Sequence, residues 1–140
     1  MSTDRTSNVL TTLHRAFNER DAETFRALLA EDVIWHIPGN HPMAGTYEGL
    51  EGMWEGFAAR MWGSPARIED HGALHHPDHE HVAVLFDVIH DFGKGEQRFK
   101  GLEVARVRDG QVAERWAFDE REEDLDRLIT QAARRMRQPG

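Results

Sequence analysis

Leu50–Trp62 reads LEGMWEGFAARMW. Its apolar residues Leu50, Met53, Trp54, Phe57, Ala58, Met61 and Trp62 recur at i, i+3, i+4, i+7, i+8, i+11 and i+12, one face of a helix, and the stripe is wide and bulky for so short an element. Such a face needs a concave surface to receive it. The segment just before it, Pro38–Gly49 (PGNHPMAGTYEG), holds two prolines and three glycines that break any periodicity. The pattern predicts a helix lying across the mouth of a curved sheet, with Pro38–Gly49 as its rim.

Working outward, the 140 residues suit one domain spanning 1–140 with a core that needs no staples. Cysteine is absent, which excludes a disulfide framework, a thiolate nucleophile and a Cys-bearing zinc site, and favours a cytoplasmic setting. The apolar runs are far short of a membrane span, and MSTDRTSNVL lacks the basic-then-apolar layout of a signal peptide. A net charge of −8 and no basic patch with interleaved aromatics argue against nucleic acid as a partner. The basic stretch Arg127–Arg137 alternates with Leu128, Ile129, Ala132, Ala133 and Met136, as a solvated helix face does.

Upstream, Val9, Leu10, Leu13, Ala16 and Phe17 mark a first amphipathic helix. Asp21 is the N-cap expected for a second, which buries Ala22, Phe25, Leu28 and Leu29. Val33–Ile37 is β-branched and aromatic and ends at Pro38, which predicts a short strand. Downstream, strands are expected over Arg67–His75, His81–Phe92, Glu96–Arg108 and Gln111–Phe118, separated by Pro77-Asp78, Gly93-Lys94-Gly95 and the hairpin signal Asp109-Gly110. A final helix carries Leu125, Leu128 and Ile129. Helices first and a mainly antiparallel meander after make an α+β plan.

The strings LLAEDVIWHIPGNHPMAGTYEGLEGM and VARVRDGQVAERWAFDE, with this order of elements, resemble the SnoaL-like branch of the NTF2-like superfamily over about Val9 to Leu128. The resemblance implies a cystatin-like, cone-shaped barrel, a mostly apolar pocket and homodimerisation through the outer sheet face. It leaves activity open, because this superfamily holds isomerases, cyclases, hydrolases, dehydratases and binders. Against ketosteroid isomerases, the general-base position is Ile37, the tyrosine positions are Leu13, Leu29 and Phe57, and only the partner acid has a match, Glu103. Against limonene-epoxide hydrolases, Asp87 matches one carboxylate, whereas the arginine position is Leu85 and the second carboxylate falls on Ala117. Against SnoaL-type cyclases, in which a carboxylate late in the sheet serves as acid/base, the nearest candidate is Asp119.

Alternation isolates the same few polar residues without any family. Ala83, Leu85, Asp87, Ile89 and Asp91 share one face of their strand and Val82, Val84, Phe86 and Val88 the other, both apolar enough to be covered. Asp87 is therefore an acid among apolar neighbours, where desolvation raises a carboxyl pKa into the range of proton transfer, unless an arginine pairs with it. On the next strand Glu103 shares a face with Phe99, Gly101, Ala105 and Val107, and a carboxylate there needs a partner, for which Arg115 is available. The last strand reads two ways: Val112, Trp116 and Phe118 inward, or Arg115, Ala117 and Asp119 inward. Asp119 also stands three residues before Glu122, as in a capping box.

His71, His75, His76, His79 and His81 crowd one hairpin, but they straddle an exposed turn and split between faces, so no metal site is expected. His41, on the rim, has the pKa of an acid/base catalyst or faces water. If there is a pocket, Trp35, Met53, Trp54 and Phe57 are its expected walls, although such aromatics pack cores more often than they line ligand sites. No nucleotide fingerprint or nucleophile motif occurs, so no cofactor is expected. The expected function is proton transfer on a small hydrophobic substrate, polyketide-like molecules included, with Asp87 as acid/base, Glu103 and Arg115 on an oxygen, and Asp119 or His41 as second proton carriers. Epoxide hydrolysis and ligand binding without catalysis are the alternatives.

Overall fold

The computed structural model describes residues 2–62, 65–78, 80–91 and 95–137, with side chains over 9–62, 65–78, 80–91 and 95–131. His79, Phe92, the Gly93-Lys94 turn, and the side chains of Ala132, Ala133 and Met136 lie outside these limits. The chain order is α1 (Ser2–Glu19), α2 (Ala22–Ala27), β1 (Leu29–Ile37), β2 (Gly45–Glu48), α3 (Leu50–Met53), a π-helical turn (Trp54–Ala58), α4 (Ala59–Trp62), β3 (Arg67–His75), β4 (His81–Asp91), β5 (Glu96–Arg108), β6 (Gln111–Asp119) and α5 (Glu122–Arg137). Among the described residues, no helix is long and apolar enough to cross a membrane.

The six strands form one curved mixed sheet in the order β2-β1-β6-β5-β4-β3. Every neighbouring pair is antiparallel except β1 and β6, which run parallel with Trp35 beside Arg115. β2 and β3 remain as free edges, so the sheet is an open cone and does not close into a barrel. Asp109 and Gly110 turn β5 into β6 with positive φ at both positions (54° and 77°), the geometry of a tight primed hairpin turn. Asp21 caps α2 by accepting the Thr24 N–H at 3.2 Å.

Two elements differ from expectation. β1 begins at Leu29, not Val33, because Leu29 already pairs with Val112 of β6, ahead of an irregularity before Ile34. β2 lies inside the expected rim loop; its four residues, GTYE, are too exposed and too short to show alternation.

The helix expected over Leu50–Trp62 forms, with a π-helical turn at its centre. There Gly56 lies flat against Tyr47, where a Cβ would sit 2.5 Å from the ring, and the tyrosine hydroxyl donates to Met43 O at 2.7 Å. The rim loop is thereby fixed to the helix. A second tie joins it to α5: the Asn40 N–H donates to Asp126 Oδ2 at 2.9 Å, and Gly39, at φ 103°, leaves Asp126 the space a side chain would take.

The helices pack on the concave face. Leu10, Leu13 and Phe17 of α1 meet Val82 and Val84 of β4 and Ala105 of β5 in the core. On the convex face Trp116 is stacked between His36 and His81, with Leu85 at 42% and Phe118 at 58% exposure beside it.

Candidate active site

A cavity of ≈ 120 Å³ lies between the concave face of the sheet, α1, the rim loop, α4 and α5. Its walls are mostly apolar: Leu13, Phe17, Trp35, Phe57, Phe86 and Leu125 are among them. Six polar side chains break this lining: His14 from α1, His41 from the rim, His90 from β4, Glu103 from β5, and Arg115 and Asp119 from β6.

β6 settles the choice between its two faces. Arg115 and Ala117 are buried, Asp119 turns inward with them, and Trp116 and Phe118 face out. Val112 is buried too, a residue earlier in phase, because the pairing with β5 slips between Arg106 and Val107. That irregularity is why simple alternation gave two answers. Glu103 stands opposite Ala117, and Asp119 opposite Gly101, so the two acids are diagonal neighbours across β5 and β6.

Three of the polar groups belong to a buried ionic chain. Asp70 Oδ1 meets His14 Nδ1 at 2.6 Å; His14 Nε2 meets Glu103 Oε1 at 2.7 Å; and the Arg115 Nε–H donates to Glu103 Oε2 at 2.8 Å. Burial pushes His14 down, but the Glu103 charge and bonds to both carboxylates outweigh it and raise the ring to about 9. Burial likewise pushes Glu103 up, and the charges of His14 and Arg115 reverse that, holding it well below the usual carboxylate range. At neutral pH His14 is therefore a cation and Glu103 an anion.

Arg115 is also held by a bond from Nη1 to His36 O at 3.3 Å and by stacking 4.7 Å over the Trp35 ring. Its Nη2 donates to no described residue, which leaves the donors of a buried guanidinium on the cavity lining.

Asp119 is different in kind. Among the described residues nothing donates a hydrogen bond to it, and none ties it to the first turn of α5, so it does not act as that helix's cap. Burial pushes its carboxyl up, Arg115 opposes this, and the acids Glu122 and Asp126 add to it. Gly101 makes its room: a Cβ there would lie 3.2 Å from Asp119 Oδ1 and 2.8 Å from Phe86 Cζ.

His41 accepts the Met43 N–H on Nδ1 at 3.1 Å, and burial pushes its pKa down, with Asp126 partly offsetting the effect. Burial lowers His90 to about 4. Both rings are neutral at pH 7.

Of the residues expected from sequence, the structure brings Glu103, Asp119, His41, Arg115, Trp35 and Phe57 to the cavity. Asp87 is not among them. It stands on the convex side with Leu85, where His71 Nε2 lies 3.2 Å and Arg98 Nη1 3.3 Å from its Oδ2. Both faces of β4 are apolar, so alternation alone did not distinguish them; the helices cover the Val82, Val84 and Phe86 face. Met53 is fully buried beneath the cavity wall, and Trp54 packs against Phe25 and Trp62 with Arg26 over its ring.

His14, Asp70 and His90 were not anticipated. His14 was legible in principle, since it stands four residues after Leu10 and three before Phe17, a polar group on the apolar face of α1.

On the crowded hairpin, Asp78, Glu80 and His81 bring one donor atom each within 4.8 Å. These groups are engaged in folding the turn: Asp78 Oδ1 accepts the N–H groups of Glu80 and His81, its Oδ2 meets His81 Nδ1 at 2.6 Å, and His76 Nδ1 accepts the Asp78 N–H.

With this geometry in place, comparison with known proteins gives a family. The model of the SnoaL-like domain matches residues 10–115. The chain belongs to the SnoaL-like domain family. No curated protein matches the sequence. Among solved structures, Bal32a from a soil-derived mobile gene cassette is similar over 92% of this chain and 99% of its own, at 18% identity and a TM-score of 0.81. A proposed polyketide cyclase from Xanthomonas campestris is similar over 92% and 99%, at 19% identity and a TM-score of 0.72. RV0760c from Mycobacterium tuberculosis, in complex with estradiol-17β-hemisuccinate, is similar over 81% and 92%, at 16% identity and a TM-score of 0.70. At these identities the likeness is one of fold.

Proposed function

We propose that this SnoaL-like chain is a cofactor-independent enzyme that moves a proton on a small, hydrophobic, oxygen-bearing substrate, as in isomerisation, cyclisation or dehydration. The observation that carries this reading is Asp119: a carboxyl on the lining of an apolar cavity, hydrogen-bonded by no described residue, with its pKa raised by burial. Asp119 is the acid/base. Arg115, fixed by Glu103 and Trp35, receives the substrate oxygen on its open Nη2. His41, neutral at the rim, is the second proton carrier.

The volume of ≈ 120 Å³ is close to that of an engineered cavity of about 150 Å³ that binds benzene, so a single ring fits. Support for a small-molecule ligand comes from two proteins of this fold, the proposed polyketide cyclase and RV0760c in complex with a steroid derivative. Epoxide hydrolysis loses the carboxylate it would rest on, since Asp87 lies outside the cavity. The convex face, with Trp116, Leu85 and Phe118 grouped and open, is the surface on which a homodimer would form.

The test follows deuterium entry into cyclohexanone in heavy water by proton NMR. The wild-type protein accelerates exchange at the carbons beside the carbonyl, and Asp119→Asn reduces that acceleration by about 10²–10⁴. Unchanged exchange in Asp119→Asn overturns the assignment.

A further inference from the structure

His14 has a carboxylate on each ring nitrogen, Asp70 on Nδ1 and Glu103 on Nε2. Both bonds are satisfied together when both nitrogens carry protons. The four charges are not equally deep. The side chains of Glu103, His14 and Arg115 are 3%, 6% and 11% exposed, whereas that of Asp70 is 24% exposed. Glu103 is shared between two cations, Oε1 meeting His14 and Oε2 meeting Arg115, while Asp70 holds His14 from the partly exposed end. A protonated His14 therefore draws part of the Glu103 charge away from the guanidinium of Arg115, which lines the cavity.

We propose that His14, oriented by Asp70, is the positioning residue that lets this cavity hold a negatively charged oxygen at Arg115. The inference rests on the proton-transfer reading and names what stabilises its intermediate. When Asp119 takes a proton from the carbon beside a carbonyl, the C–H electron pair becomes a C=C bond and the carbonyl π pair moves to oxygen. The enolate oxygen then lies against Arg115 Nη2. Reprotonation at carbon by Asp119 restores every charge, and no co-reactant is consumed. His14 touches neither substrate nor reacting atom; it acts through Glu103 and Arg115.

The groups around His14 come from each element that packs on α1. β3 supplies Asp70, β5 supplies Glu103, β6 supplies Arg115 and Asp119, and β4 supplies His90 and the Phe86 ring at 6.1 Å. α2 contributes only Phe25 to the cavity lining, and the rim loop contributes His41. His90 and His41 are both neutral well below the range in which His14 loses its proton.

The probe is 4-nitrophenol, a single ring that carries an oxyanion once ionised, titrated against the full chain by absorbance from about pH 8 to about pH 10.5. Binding of the phenolate to the wild type weakens about tenfold across this range, as His14 discharges. In His14→Gln the affinity at pH 8 is already about tenfold lower and stays flat. In Asp70→Asn, which keeps the buried ring in place, the weakening moves to lower pH by about one unit. A wild-type affinity that is flat with pH, a limb that persists in His14→Gln, or no phenolate binding at pH 8 overturns the inference. The proton-transfer reading fails separately, through unchanged deuterium exchange in Asp119→Asn.

Discussion

Replacing Glu103 by Gln keeps the shape of the side chain and removes its charge, and it strikes the centre of the ionic chain. His14 and Arg115 would each lose a bond of 2.7–2.8 Å to a carboxylate buried to 3% exposure. Two cations would then share the interior, with Asp70 against His14 and Asp119 on the same cavity lining as Arg115 left to face them. Breaking a buried pair by neutralising one partner typically costs about 3–5 kcal/mol, because the remaining charge stays desolvated. His14 has a way to relax that Arg115 lacks, since it sheds its proton once the Glu103 charge is gone; this places the expected loss at the lower end, about 3 kcal/mol. With an unfolding entropy of about 2.1 cal/mol/K per residue, a chain of 140 residues then melts about 10 °C lower. Calorimetry at pH 7 on both proteins measures the shift, and an NMR titration of His14 shows whether its pKa falls towards the ordinary histidine value. A melting temperature within about 2 °C of wild type, with His14 still titrating near 9, would refute the ionic chain.

Stability follows pH in a way fixed by the same pair and by His90. Glu103 is depressed in the folded state, so its contribution is complete above the ordinary carboxylate value of 4.5 and is lost as pH falls towards about 2. His14 is raised, so its contribution is complete below 6.5 and is lost as pH rises through about 9. His90 is depressed by burial to about 4, so its contribution is complete above 6.5 and is lost as pH falls through about 4. Urea unfolding from about pH 3 to about pH 10 should therefore show a maximum at about pH 6.5 with losses on both sides; a maximum at alkaline pH would contradict the assignment. Gly101→Ala drives a methyl to 2.8 Å from Phe86 Cζ, so an overpacking loss of about 1–3 kcal/mol is expected, together with weaker cyclohexanone binding. Thermal melts and an NMR binding titration check both effects, and wild-type values in the two would show that Phe86 moves aside freely. Asp87→Asn breaks only convex-side pairs with His71 and Arg98, whose partners are largely exposed; stability should change by less than about 1 kcal/mol and deuterium exchange not at all.

The fold was legible because its signals were long and periodic. The helix over Leu50–Trp62, the strands on either side of Asp109-Gly110 and the Asp21 cap all stand where the pattern placed them. β2 was hidden because an exposed four-residue edge strand shows no alternation and sits among prolines and glycines. The site was legible wherever an inner face was otherwise apolar: Glu103 stood out among Phe99, Gly101 and Ala105, and Arg115 proved to be its partner. It was not legible on β4, where both faces are apolar and Asp87 fell on the convex one. His14 and Asp70 were hidden for another reason. They are 56 residues apart, and only the packing of α1 across β3 and β5 brings them into contact. No local pattern marks Asp70 as the outer end of a buried chain.

The central claim is that an unpaired acid inside an apolar cavity is poised to exchange protons with a ligand. Carboxyl-carbon NMR titration of Asp119, with and without cyclohexanone, tests it directly. The account predicts that Asp119 titrates above its ordinary value of 3.8 and moves higher when the ligand displaces water. An Asp119 that titrates at or below 3.8 and ignores the ligand would contradict it.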